Sequence, residues 1–201
     1  MKVKNDNYKI VINSNKINMK DYIDKYFNQK KFNELCKKCD KYGVLWSCPP
    51  YSFDVEEYIN KYKESYIIGT KIILSDEIIQ NTKKDNILDC TYRILNEVRK
   101  ELGEMLLSLE LKYPNSVCLY PGSCLLCNNC ERVNGKPCVQ PDKMRYSLES
   151  LGFDVAKTAS NLLDIELKWA NEKLPEYFTL VSAFFTNDII EDILGEKYNV
   201  Q

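Results

Sequence analysis

Histidine is absent from this 201-residue chain, and that absence removes more chemistry than any other feature of the composition. Without imidazole there is no Ser-His-Asp or Cys-His nucleophile, no His-ligated zinc and no ordinary proton shuttle at neutral pH. Acid–base work falls to Asp, Glu, Lys, Tyr or a bound cofactor. Glycine-rich loops of the P-loop or dinucleotide type are also missing. So is any apolar run long enough for a membrane span. The opening stretch, "MKVKNDNYKIVINSNKINMK", lacks the apolar segment and small-residue cleavage site of a signal peptide. A net charge of −1 supplies no global field toward nucleic acid or anionic lipid. The local clusters "NQKKF" and "CKKCDK" are interleaved with acids and read as solvated faces. A single-stranded nucleic-acid groove that stacks bases on some of the 14 tyrosines is the weaker alternative. The expectation from these absences is a cytoplasmic protein with no nucleic-acid or membrane partner, in a compartment where thiols stay reduced.

What the chain does have is cysteine. Nine are present, seven of them in two clusters: Cys36, Cys39 and Cys48 (C-x2-C-x8-C), then Cys124, Cys127, Cys130 and Cys138 (C-x2-C-x2-C-x7-C). The odd count, the close spacing and the reducing compartment all argue against a disulfide framework. Two residues between thiols let a loop turn both sulfurs toward one centre, and repeating that spacing presents three thiolates from one loop. A [4Fe–4S] cubane suits such a set, with a fourth thiolate from elsewhere. Structural zinc more often takes a C-x2-C pair from each of two knuckles, and the second pair is missing here. Iron–sulfur is therefore favoured over zinc at the second cluster, and less strongly at the first. The bacterial ferredoxin run places its fourth cysteine three residues on and follows it with proline. Here Cys138 lies seven residues on, and the Cys-Pro step is at Cys48-Pro49. Spacing leaves open whether Cys138 and Cys48 complete their own loops or reach across to the other. Cys90 falls on the apolar face of a predicted helix and Cys118 inside a predicted strand, where free cysteine behaves as a small hydrophobe. Cys118 is the better candidate for an eighth ligand.

Around these loops the pattern predicts an α/β or α+β fold. One domain over residues 1–201 carries a small mixed sheet, flanking helices, and cysteine-rich metal-binding loops (36–51 and 121–141) at one edge. Strands are expected at Tyr8–Ile12, in "SYIIGTKIIL", in "SVCLY" and in "EYFTLVSAFFT". Helices are expected over "MKDYIDKYFNQKKFNEL", after an Asp54 cap, and from Asn86 to Leu111 on the period of Ile87, Ile94, Val98, Leu102, Met105 and Leu109. Two more are expected, from Pro141 or Asp142 to Gly152 and from an Asp154 cap onward.

The motif order C-x2-C-x2-YG-x2-WSCPP, G-x-C-x2-C-x2-C, Cys-x2-Pro and R-x-S-x-E-x2-G-x-DV spans roughly Cys36 to Val155. It resembles the prokaryotic DUF2284 family of predicted metal-binding proteins. The resemblance implies a bound metal, with iron–sulfur as the expected form. Within the shared motif Arg145 and Glu149 are candidate site residues, for an anionic substrate and for proton handling respectively. They read equally as an i,i+4 ion pair on a helix. Trp46 and Tyr42 are expected to shield the first cluster, since burial tunes a reduction potential. The leading expectation is an iron–sulfur protein that exchanges electrons with a redox partner. A cluster-dependent enzyme follows, in which Cys36, Cys39 and Cys48 leave one iron open to a small anionic substrate. A zinc-stabilised interaction module is the third.

Overall fold

A computed structural model describes residues 6–195. Its centre is a four-stranded sheet of β1 (Tyr8–Asn18), β2 (Glu64–Leu74), β3 (Ser116–Leu119) and β4 (Tyr177–Thr186), in the order β1-β2-β4-β3. The α/β class holds, but every strand pairing is antiparallel, so the sheet is not mixed.

Side chains alternate with the two-residue period of a strand, which gives the sheet two apolar faces. Tyr66, Ile68 and Ile72 of β2 join Cys118 of β3 and Phe178, Leu180 and Phe184 of β4 on one face. There they pack beneath α5 (Ile87–Lys112), whose buried stripe is Ile87, Cys90, Ile94, Val98, Leu102 and Leu106. Ile67, Val117, Leu119, Val181, Ala183 and Phe185 point to the opposite face. That face is covered by α1 (Met19–Tyr26), α3 (Val55–Ile59), α6 (Leu148–Leu151) and α7 (Val155–Leu163). A short α4 (Asp76–Asn81) links β2 toward α5.

Three expectations differ from what the fold shows. β1 runs on past Ile12 through the polar stretch to Asn18, because its full length pairs with β2. Its asparagines find partners as well. Asn13 and Asn15 donate to the Leu163 and Leu162 carbonyls at 3.1 and 2.8 Å, satisfying the open end of α7. The single helix expected after β1 is two, α1 and α2 (Gln29–Cys36), broken at Phe27-Asn28. Phe27 there bridges to Phe153, Asn28 N–H donates to the Gly152 carbonyl at 2.8 Å, and the Asn28 side chain caps α2. Gly152 permits this contact. Its φ is +108°, and a Cβ would sit 2.7 Å from the Cα of Gln29. The helix expected from Pro141 is confined to α6, with Ser147 as its cap, because residues 140–146 are drawn elsewhere. Gln140 O accepts from Lys143 and Met144 N–H, and the Tyr146 carbonyl accepts from Tyr120 N–H at 2.8 Å.

Of the remaining elements, β2, β3, β4, α3, α5 and α7 lie where the sequence places them, and α4 is an addition. Asp54 caps α3 through Glu57 N–H at 2.9 Å, and Asp154 caps α7 through Lys157 N–H at 3.0 Å. Among the described residues no helix is long and apolar enough to cross a membrane.

Candidate metal centre

Cys36 is the last residue of α2, so the first cysteine loop begins where that helix runs out. Cys39 N–H turns back to the Cys36 carbonyl at 2.9 Å, and Cys48 N–H to the Leu45 carbonyl at 3.1 Å. Gly43 N–H closes the loop on the Pro49 carbonyl at 2.8 Å. Cys39 is exposed, Cys36 half-buried and Cys48 buried. Burial pushes the Cys48 thiol up to about 11, opposed by the Ser47 hydroxyl and reinforced by Cys39 and Cys36. Burial also raises the Cys36 thiol, with Cys39 and then Glu149 adding to the effect. The three thiols of the first loop thus share one neighbourhood.

Beneath this loop lies an aromatic stack that the sequence reading did not identify. The Tyr51 hydroxyl donates to the Ser47 carbonyl at 2.9 Å, and its ring lies 5.0 Å from those of Phe53 and Tyr146. Tyr58 continues the stack. The available signal was the tyrosine count, but nothing in local spacing gathers residues 51, 58 and 146.

The second loop leaves β3, an edge strand, through Gly122. Gly122 has φ +81°, and a Cβ there would approach the Arg99 guanidinium to 3.2 Å. After Cys130, a single 3₁₀ turn (Glu131–Asn134) and Gly135 at φ +66° reverse the chain. That reversal brings Cys138 back, so that Cys124, Cys127, Cys130 and Cys138 line one small cleft. Burial raises the Cys124 thiol; a Leu126 backbone hydrogen bond opposes this, and Cys127, Cys138 and Cys130 add to it. The Gln140 side-chain N–H donates to the Leu126 carbonyl at 3.0 Å and reaches the Cys127 sulfur at 3.5 Å.

The two loops are clasped together. Arg132 Nη1 donates to the Leu45 carbonyl at 2.7 Å and the Cys48 carbonyl at 2.5 Å, while Nη2 reaches the Pro50 carbonyl at 2.5 Å. Its guanidinium lies 5.0 Å from the Trp46 ring, and Trp46 Nε1 donates to the Lys136 carbonyl at 3.0 Å. Cys124 N–H donates to the Ser47 hydroxyl at 3.1 Å. Trp46 therefore lines the cleft of the second set with Leu45 and Met144, where adjacency in sequence had assigned it to the first. Tyr42 stays in the first loop, with its N–H on the Cys39 carbonyl at 3.1 Å.

The other candidates separate. Arg145 precedes α6, so it makes no i,i+4 pair with Glu149. Its Nε forks onto Glu110 at 2.8 and 3.0 Å, Nη2 also meets that carboxylate, and Nη1 donates to the Met144 carbonyl. A guanidinium so engaged is a structural tie between α5 and the segment before α6. Glu149 is different. Its carboxyl is held above the ordinary range by burial, against its own backbone N–H, the Ser147 hydroxyl and Arg99. Its Oε2 is buried without a hydrogen-bond partner. Arg99, absent from the sequence reading, feels both Glu149 and Cys124, and its Nη2 donates to the Ser123 carbonyl. It stands in mid-helix, remote in sequence from either cluster. Cys118 is fully buried in the core beneath α5, and its charged neighbours are Glu110 and Arg145, not other thiols. Cys90 is likewise in the core, 3.7 Å from Arg93 Nη2.

All nine cysteines are free thiols. Among the described residues no three Cys, Asp or Glu groups are drawn together closely enough to hold a single ion as they stand. Each set shares a neighbourhood and not a finished coordination shell. The donor chemistry nevertheless fits a thiolate-bound metal: sulfur ligands from one cleft, no competing imidazole, and N–H or O–H groups beside Cys127 and Cys48.

An α+β sheet protein with two clasped cysteine loops is thus the class that fold and site define. Residues 22–183 match the family model described as predicted metal-binding protein (DUF2284), and the chain belongs to that family. No curated protein and no solved structure matches it.

Proposed function

We propose that this chain is an iron–sulfur protein of a reducing compartment such as the cytoplasm, exchanging electrons with a redox partner. Cys124, Cys127, Cys130 and Cys138 would hold one [4Fe–4S] cluster, and Cys36, Cys39 and Cys48 a second. The observation that carries this reading is the gathering of Cys124, Cys127, Cys130 and Cys138 around one cleft, with Cys36, Cys39 and Cys48 left as a separate set in the first loop. A bound cubane supplies one-electron exchange at a potential set by burial and by hydrogen bonds to sulfur. The chain's own groups do the tuning. Gln140 offers an N–H to the Cys127 sulfur, and the Ser47 hydroxyl lies 3.9 Å from that of Cys48. Trp46, Leu45 and Met144 limit water around the four-thiol cleft, and Arg132 fixes one loop against the other.

A second reading is favoured by Glu149. Three thiolates leave one position of a cubane without a cysteine, and a buried carboxylate oxygen with no partner stands on the helix that packs against α2, which ends at Cys36. That arrangement suits a cluster-dependent enzyme that binds a small anionic substrate at the three-thiol set.

Anaerobic purification followed by iron, sulfide and zinc counts and a visible spectrum tests both. The expected result is a brown protein with about eight iron and eight sulfide per chain, as two cubanes require. A colourless protein containing zinc and no sulfide overturns both readings and leaves a zinc-stabilised interaction module. Spin resonance of the reduced protein with and without added carboxylates separates the two. A signal that shifts on addition supports the open position, and an unchanged signal supports electron transfer alone.

A further inference from the structure

A cavity of about 740 Å³ opens between α5 and the second cysteine loop. It lies within the range of small-molecule sites, about 300–1,000 Å³. Leu107 of α5 and Leu125 and Leu126 of the loop give it an apolar wall. Its charge is one-sided. Arg99, Lys100 and Lys143 line it against a single carboxylate, Glu104. Lys100 and Lys143 are exposed, and neither forms an ion pair among the described residues. Arg99 is half-buried, with Nη1 on Asn96 at 3.3 Å and Nη2 on the Ser123 carbonyl. A half-buried cation beside two free ones, above an apolar wall, is arranged for an anion carried on an apolar body.

The geometry points to a binding site in this cavity for a small carboxylate or phosphate with an apolar body of about two fused rings. The head group faces Arg99, Lys100 and Lys143, and the body lies against Leu107, Leu125 and Leu126. Gln140 forms part of the wall and also reaches the Cys127 sulfur. An occupant is therefore one side chain away from the four-thiol set. The site stands on the cavity and its charges and does not depend on what the cysteines hold.

Three probes that share one body test it: 1-naphthyl phosphate, 1-naphthoate and 1-naphthol, titrated calorimetrically into the full chain as purified. The expected result is that at least one anionic probe binds about tenfold or more tightly than neutral naphthol. Preference for the phosphate or the carboxylate assigns the head group. The double variant Lys100→Glu/Lys143→Glu, whose side chains have no ion-pair partner to lose, should erase that preference with the circular dichroism unchanged. Ser108→Trp, which fills the cavity from α5, should remove binding of all three. Equal binding of the three probes overturns the proposal, as does no binding by any of them. A charge preference that survives the double variant, or binding that survives the Trp variant, overturns it too.

Discussion

The two cysteine loops differ in what completes them. The second is largely closed on itself: four thiols from fifteen residues return to one cleft because a 3₁₀ turn and Gly135 fold the chain back, with Leu45, Trp46 and Ser47 of the first loop as one wall. The first is not. Its three thiols run from a helix end through an exposed turn to a buried position, and its carbonyls are held from outside by Arg132 of the other loop. One loop gathers its thiols by its own turn, while the other adds an outside brace to its Gly43–Pro49 closure. On the two-cluster proposal, the second loop should therefore hold its metal more tightly than the first when its neighbour is damaged.

The largest test of that asymmetry removes a ligand from each side. On the two-cubane proposal, Cys138→Ser should lose about half of the iron and sulfide, and Cys48→Ser should do the same for the other half. The variants should differ in the half that remains. Metal retained by Cys48→Ser should release slowly to a chelator, and metal retained by Cys138→Ser should release fast. Equal release rates would break the comparison.

Next in size is Glu110→Gln, which strips the charge from an ion pair shielded on both sides, at 17% and 13% side-chain exposure. Removing the counter-charge of Arg145 should lower the unfolding free energy by about 2 kcal/mol in a urea titration at pH 7. The wild type carries a matching pH signature. Burial alone would raise the Glu110 carboxyl, but Arg145 and the Cys118 N–H outweigh it and hold it below the ordinary value. Its contribution is complete above the unfolded carboxyl pKa of about 4.3. It drains away as pH falls through the lower, folded value. Urea midpoints measured between neutral and acid pH should show this loss in the wild type and lack it in Glu110→Gln.

Arg132→Ala should cost about 2 kcal/mol, since three charge-assisted bonds to loop carbonyls vanish. Arg132→Lys should recover only part, because an ammonium cannot reproduce the fork. Both should speed metal release from Cys36, Cys39 and Cys48 more than from the other set, read as the two phases of a chelator time course. The smallest effect belongs to Cys118→Ala. It should leave metal content unchanged and lower stability by about 1 kcal/mol, through a small cavity in the core. Loss of metal there would mean that an eighth thiolate has been overlooked.

Local spacing made several elements readable. The period of α5 and the β-branched and aromatic density of β2 announced themselves, as did the Asp54 and Asp154 caps, because each is decided by residues within one or two turns. Long-range pairing decided the rest. The break between α1 and α2 depends on residues 152–154, more than a hundred positions away. The return of Cys138 depends on a turn whose glycine signal has no fixed partner in spacing rules. Adjacency misled for Trp46, and the i,i+4 rule misled for Arg145 and Glu149, because in both cases the backbone between neighbours leaves its regular path. Arg99 had no local signature at all.

The clasp also sets an order of events during synthesis. Arg132 follows the carbonyls it holds by 82 to 87 residues. At typical translation speeds the first loop waits roughly 4–17 seconds for its fastener to be made. Through that interval the first loop has only its own turns, such as Gly43 N–H on the Pro49 carbonyl, to hold the spacing of its thiols. On the two-cluster proposal, cofactor delivery to Cys36, Cys39 and Cys48 then falls late, after α5 and the edge strand have been laid down.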